Sequence, residues 1–171
     1  LMRYYLDDPL LRVEALKSSE LCGFVLHESD GRDLSDTLLI PISQSGTTTD
    51  TNRAVDMGRK KGAVSVCIVN RRDSDLTFKT DGVLYTSSGR DIEMSVASTK
   101  AFYSQIIAGA LLSLYAAQST GRRSHAFVSN EIRQMIQLPD IMEQVLSMKN
   151  QIQASARRLA LQRTYWAVVG S

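Results

Sequence analysis

The sequence predicts an α/β domain built on a parallel sheet and continued by a helical tail. Three observations carry that expectation. Apolar runs of strand length at 38–42 and 63–69 bracket a segment of helical character at 52–61. A long stretch from Ser98 to Gln118 places Phe102, Ile106, Ala110, Leu111, Leu114 and Tyr115 at helical spacing. From Gly121 onward the signal is helical until the last residues. A strand, a helix and a second strand joined so tightly imply a right-handed crossover, so the two strands should be parallel, adjacent and central.

The other elements follow in order. Residues 3–19 carry Leu6, Leu10, Val13 and Leu16 near a helical period, with Asp7, Asp8 and Pro9 interrupting it, and should hold one short helix after a ragged start. Residues 21–26 read as a strand, and 28–36 as a polar turn with Gly31 at its tip. Ser74 or Asp75 is placed to cap a short helix reaching Lys79; 83–85 is a short strand and 86–95 a polar connection. Ser98 and Thr99 are natural caps for the long apolar stretch, which apolar residues nearly encircle, so a buried helix is expected there. In the tail, helices at 124–138 and 141–162 are separated by a break at Pro139 and Asp140, and 164–169 is a last strand-like run.

Composition narrows the function. A chain of 171 residues with 43% hydrophobic and 22% charged residues can build one domain with a real core. Its 20 basic and 18 acidic residues leave +2, which argues against nucleic acid or an anionic membrane as partner, so any anion is bound locally. Cys22 and Cys67 lie in or beside apolar runs without C-x-x-C spacing and read as a reduced, buried pair, in keeping with a cytoplasmic location. No segment approaches the roughly 20 apolar residues of a membrane span, and the first residues lack signal-peptide organisation.

The chemistry concentrates in the loop after the first of the paired strands: Ser43, Gln44, Ser45, Gly46, Thr47, Thr48, Thr49, Asp50 and Thr51. Such a loop leaves the carboxyl end of a strand and enters a helix N-terminus, where unpaired N–H groups and the helix dipole favour an anion. The hydroxyls and the Gln44 amide add donors, and Gly46 lets the backbone come close. Neutral phosphate binding is the chemistry suggested.

This loop, together with Ser95-Val96-Ala97-Ser98-Thr99-Lys100-Ala101-Phe102, resembles the two signatures of the sugar isomerase (SIS) family. Their order and spacing match the isomerase part of the glutamine:fructose-6-phosphate aminotransferases. The resemblance implies a three-layer, flavodoxin-like SIS domain over 1–120 whose first strand is missing, a helical linker over 121–163, and at 164–171 the first strand of a possible second SIS domain. It implies that Ser43, Gln44, Ser45 and Thr48 hold a sugar phosphate and that Val96 and Ser98 line the sugar side. Thr47 stands where the family pattern has Glu. The partner implied is a phosphorylated sugar, fructose 6-phosphate or similar, with no cofactor and no metal, in a homodimer or a larger chain. The family's acid/base residues belong to the second SIS domain, and its glutaminase domain lies upstream; neither is in this sequence. The alternative is a regulatory SIS domain that senses a phosphosugar without turning it over.

Other candidates are weighed against plainer roles. Asp30, Asp33 and Asp36 read as a solvated turn, since an EF-hand's glycine register and terminal Glu are missing. Arg71 and Arg72 could reach a phosphate but read as exposed loop residues; Lys100, in a helix first turn, is as consistent with an ion pair as with a phosphate contact. Glu93, His27 and His125 read as structural or surface groups.

Overall fold

The computed structural model describes residues 1–26, 31–87 and 99–167. In order they form α1 (Met2–Leu6), α2 (Ser18–Glu20) running into a π-helical turn (Leu21–Val25), β1 (Leu38–Leu39), β2 (Ile42–Ser43), α3 (Thr49–Lys60), β3 (Val64–Val69), α4 (Asp75–Lys79), β4 (Gly82–Tyr85), α5 (Thr99–Ser119), α6 (His125–Ile136), α7 (Leu138–Ser147) and α8 (Lys149–Ala160). The chain divides into two units, Leu1–His125 and Ala126–Ser171.

Among the described residues of the first unit, β1, β2 and β4 each pair with β3, and each pairing is parallel. Leu38 stands opposite Val64 and Ile42 opposite Ile68, so β1 and β2 keep one register and are two halves of the single strand expected at 38–42. Pro41 divides them. Its carbonyl accepts from the Ile68 N–H at 2.9 Å, but proline has no N–H to return to the ladder. β4 runs along Val66–Val69 of β3, on the edge opposite β2. The expected parallel, adjacent strands are therefore present.

Helices cover both faces of this sheet. On one, Val55 of α3 and Leu76 of α4 pack with Cys67 and Val69 of β3. On the other, Ile68 of β3 faces α5, where Gly109 brings the helix backbone close. Cys67, Ile68 and Val69 are all 0% exposed, which is what strand alternation gives when both sheet faces are covered. Cys22 and Cys67 are both free thiols and buried, and burial raises the pKa of each.

Several expectations need correction. Residues 21–25 form a π-helical turn, not a strand, and Cys22 and Leu26 bury against Ala54 and Met57 of α3. The helix expected over 3–19 is two short pieces: Asp7 adopts φ 47° and ends α1, and the chain is irregular until α2. α5 is not buried all round. Its small residues Ala108, Ala110 and Ala117, with Leu114, are buried, while Phe102 is 58% and Tyr115 69% exposed, because only one side of the helix meets the sheet. Ser74 does occupy the cap position of α4, but its hydroxyl donates to the Arg71 carbonyl at 3.1 Å instead of capping.

α1 is held against the end of α5. Arg123 donates to the carbonyls of Tyr4 at 2.9 Å and Tyr5 at 3.0 Å, and Arg122 pairs with the nearly buried carboxylate of Asp8 at 2.5 Å. The carbonyls at a short helix's C-terminus lack helical partners, and a guanidinium satisfies two of them.

The second unit is formed by α6, α7 and α8. The break expected at Pro139 and Asp140 falls at Gln137, between α6 and α7, because the proline lies in the first turn of α7, where a missing N–H costs nothing; a second interruption falls at Met148. Of the strand-like run expected at 164–169, residues 164–167 are irregular and 168–169 lie outside the described residues. No helix among the described residues is long and apolar enough to cross a membrane.

At the end of the sheet where β3 and β4 begin, Arg59 Nη1 pairs with Asp81 Oδ1 at 2.6 Å, while Asp81 Oδ2 accepts from the backbone N–H of Ser65 at 2.8 Å and from its hydroxyl at 3.0 Å. The Arg59 hydrogen bond, and then those from Ser65, hold the Asp81 carboxyl at about 2, below its ordinary 3.8. A carboxyl depressed in the folded state adds stability that is complete above its unfolded value and disappears as pH falls through the folded one. In urea unfolding, the advantage of wild type over Asp81→Asn should be constant above about pH 4 and shrink toward pH 2. An advantage independent of pH across that window would show that the carboxylate contributes nothing through its charge.

Candidate functional site

In a parallel sheet flanked by helices, the loops after the strands gather at the carboxyl edge, where such folds bind ligands. Here β2 ends at Ser43, β3 leads into Asn70 and β4 into Thr86. The Thr86 hydroxyl lies 3.3 Å from Asn70 Oδ1, and the Thr86 N–H donates to the Val69 carbonyl at 3.1 Å.

The loop from Ser43 to Thr48 turns sharply into α3. Gly46 has φ 66°, in the left-handed region, and a Cβ there would overlap Ser74 Oγ and Cβ. Only glycine meets both conditions without displacement. Ser43 is 7% exposed, and its Oγ accepts from the Gly46 N–H at 3.0 Å. Ser45 Oγ accepts from the Thr47 N–H at 3.3 Å and lies 3.0 Å from Thr47 Oγ1. Thr48 holds the cap position with extended backbone and no side-chain cap bond, so its exposed hydroxyl is not committed to the helix. The first helical bond of α3 runs from the Asn52 N–H to the Thr48 carbonyl at 3.1 Å, so the N–H groups of residues 49–51 precede the ladder.

Neighbouring segments brace this loop. The Gln44 carbonyl accepts from the Arg71 N–H at 3.2 Å, and the Gly46 carbonyl from the Leu76 N–H at 3.1 Å. From α5, Gln105 Nε2 donates to Gln44 Oε1 at 3.3 Å. Gln44 Nε2 is left buried with no partner. A buried amide donor with nothing to donate to costs about 1–3 kcal/mol, and a ligand oxygen would remove that cost.

Of the residues expected to form the site, Ser43, Gln44, Ser45 and Thr48 stand together on this loop. Val96 and Ser98 lie outside the described residues, as do Glu93, His27 and Asp30. Thr51 turns elsewhere: its hydroxyl lies 3.3 Å from Ser18 Oγ on α2. Arg71 and Arg72 are exposed, and the Arg72 guanidinium stacks 4.2 Å from the centre of the Tyr85 ring. Lys100 is exposed in the first turn of α5, and His125 opens α6. No group of three His, Cys, Asp or Glu side chains among the described residues could hold a metal. Sequence reading passed over Gln105 and Asn52, which brace the loop from two helices. An amide four residues past a capping threonine was the available signal for Asn52.

A family model described as the SIS domain matches residues 33–115. The glutamine–fructose-6-phosphate aminotransferase [isomerizing] of Corynebacterium glutamicum is 40% identical over 124 residues, 72% of this chain and 20% of that protein. The protein of the same name from Mycobacterium tuberculosis is 37% identical over 128 residues, 75% of this chain and 20% of its own length. The chain thus spans about one fifth of the length of the curated relatives it matches. Among solved structures, the C-terminal domain of glucosamine-fructose-6-phosphate aminotransferase from Francisella tularensis superposes with a TM-score of 0.74 at 26% identity, covering 91% of this chain and 41% of that one. A glucosamine-6-phosphate deaminase from Thermotoga maritima, at TM-score 0.53 and 22% identity over 75% of this chain and 37% of its own, shares the fold alone.

The geometry at Gly46 makes a separable prediction. Gly46→Ala adds both a left-handed backbone penalty and an overlap with Ser74, together roughly 2–4 kcal/mol of stability in urea unfolding. Adding Ser74→Gly removes the overlap but not the backbone penalty, so the double variant should recover part of the loss. A Gly46→Ala variant as stable as wild type, or a double variant with no recovery, would contradict this account.

Proposed function

Residues 33–115 belong to the sugar isomerase family as a SIS domain similar to the isomerase region of the glutamine–fructose-6-phosphate aminotransferases, and on that premise we propose that the loop from Ser43 to Thr48 anchors the phosphate of a ketohexose 6-phosphate. The observation that carries this reading is the loop itself. At the carboxyl edge of a parallel sheet it combines the N-terminus of α3 with hydroxyls at Ser43, Ser45 and Thr48 and the unpartnered Gln44 Nε2. Donors of this kind satisfy a tetrahedral anion without a full countercharge.

In the intact protein the anchored phosphate supplies remote binding energy that positions C1 and C2 of the sugar for isomerisation and amination. This domain contributes binding, with Val96 and Ser98 on the sugar side, and the acid/base groups lie in other parts of the protein. The same reading makes 121–163 a linker and 164–171 the start of a second SIS domain in a dimeric, cytoplasmic enzyme of amino-sugar synthesis.

Calorimetry on the full-length protein tests the anchor. Fructose 6-phosphate should bind and fructose should not. Ser45→Ala should lose one charge-assisted hydrogen bond, about 1.5–3 kcal/mol, or roughly ten- to hundred-fold in affinity. Equal binding of the two sugars, or an unchanged affinity in the variant, would reduce the loop to a helix cap.

A further inference from the structure

Asn52 is the fourth residue of α3 and 7% exposed. Its Nδ2 donates to two carbonyls of the loop, those of Gly46 and Thr48, each at 3.1 Å. Its Oδ1 is buried and has no partner. Packing does not account for this amide, because leucine has nearly the same size and shape and would leave no buried acceptor unpaired. Nor does the helix require it, since Thr48 already holds the cap position. What the amide alone supplies is a donor shared by two loop carbonyls.

The consequence follows from peptide geometry. The Gly46 carbonyl belongs to the same peptide unit as the Thr47 N–H, and the Thr48 carbonyl to the same unit as the Thr49 N–H. The described chain has no cis peptide bonds, and in a trans unit the C=O and N–H point in opposite directions. Drawing both carbonyls to Asn52 therefore turns the N–H groups of Thr47 and Thr49 away from the body of α3. The Thr47 N–H indeed reaches Ser45 Oγ, a hydroxyl of the cradle.

Resting on the phosphate-anchor reading above, we propose that Asn52 is the positioning residue of this loop: it ties two peptide units together so that their carbonyl oxygens stay turned from the phosphate of the sugar, with the Thr49 N–H facing it and the Thr47 N–H holding the Ser45 hydroxyl of the cradle. Each carbonyl also has one backbone donor, the Leu76 N–H on Gly46 and the Asn52 N–H on Thr48, but only the side-chain amide ties the two together; without it the two peptide units can tilt independently, and a carbonyl tilted toward the site repels the anion it should bind. The residue touches no substrate and acts through the backbone.

Two variants of the full-length protein test this by calorimetry with fructose 6-phosphate and with fructose, alongside thermal unfolding without ligand. Asn52→Leu should melt at or above the wild-type temperature yet bind fructose 6-phosphate about ten-fold more weakly. A residue needed only for packing would not separate stability from affinity in this way. Asn52→Asp keeps the shape but places a carboxylate against two carbonyls. Its deficit relative to wild type should be larger at pH 7.5 and shrink at pH 5, as protonation restores a donor. This pH dependence carries the test if the leucine variant fails to fold. Wild-type discrimination between the two sugars together with unchanged affinity in both variants would overturn the role of Asn52 alone. Wild-type protein that does not distinguish the sugars would overturn the anchor reading, and the role of Asn52 with it.

Discussion

The first unit depends on one constraint: the backbone of β3 is buried and must find hydrogen-bond partners along both edges. β1 and β2 satisfy one edge and β4 the other, all in parallel. Parallel pairing forbids tight hairpins, so each strand must return through a helix, and α3 and α4 are those returns. The helices then bury the face carrying Cys67 and Val69, and α5 takes the face of Ile68. The position of the site is a by-product of the same requirement. Once the strands run one way, the loops that follow them collect at one edge, and the loop after β2 is carried to the start of α3.

That loop is assembled from features that disfavour folding on their own. Gly46 occupies a left-handed conformation, Ser43 buries a hydroxyl, and two amide atoms of Gln44 and Asn52 are buried without partners. Such strain persists only where the surroundings over-determine it, and here they do. The α4 connection holds the carbonyls of Gln44 and Gly46, Gln105 holds the Gln44 side chain, and Asn52 holds the loop from within α3. Among the described residues, the buried side-chain polar atoms without a partner, Gln44 Nε2 and Asn52 Oδ1, both belong to this loop and the helix that follows it.

The sequence was most legible where one physical signal had one outcome. An apolar run, a hydroxyl-rich loop with glycine and a second apolar run could only become the β2–α3–β3 crossover, and four of the six expected site residues stand on its loop. It was least legible where a short apolar run fits several outcomes. Residues 21–26 contain six positions of strand-like character, yet Cys22 and Leu26 found their burial against α3, not in the sheet. Pro139 marked its break to within two residues, because the ring that ends one helix is suited to begin the next, but nothing comparable marked the second interruption at Met148. The breadth of α5's apolar surface suggested burial on all sides, but the sheet can cover only one. Asn52 and Gln105 were invisible for a different reason. Their roles depend on which side of each helix meets the loop, and periodicity fixes that only after the sheet is known.

The grip of Arg122 and Arg123 on α1 has a consequence for how this unit can be carried by a longer polypeptide. The bonds from Arg123 to the carbonyls of Tyr4 and Tyr5 bring together residues more than a hundred positions apart, so α1 and the end of α5 are fastened at one corner of the unit. A longer polypeptide pulling on either segment would load these few bonds before it reached the strand ladder, which leaves the loop after β2 insulated from such strain.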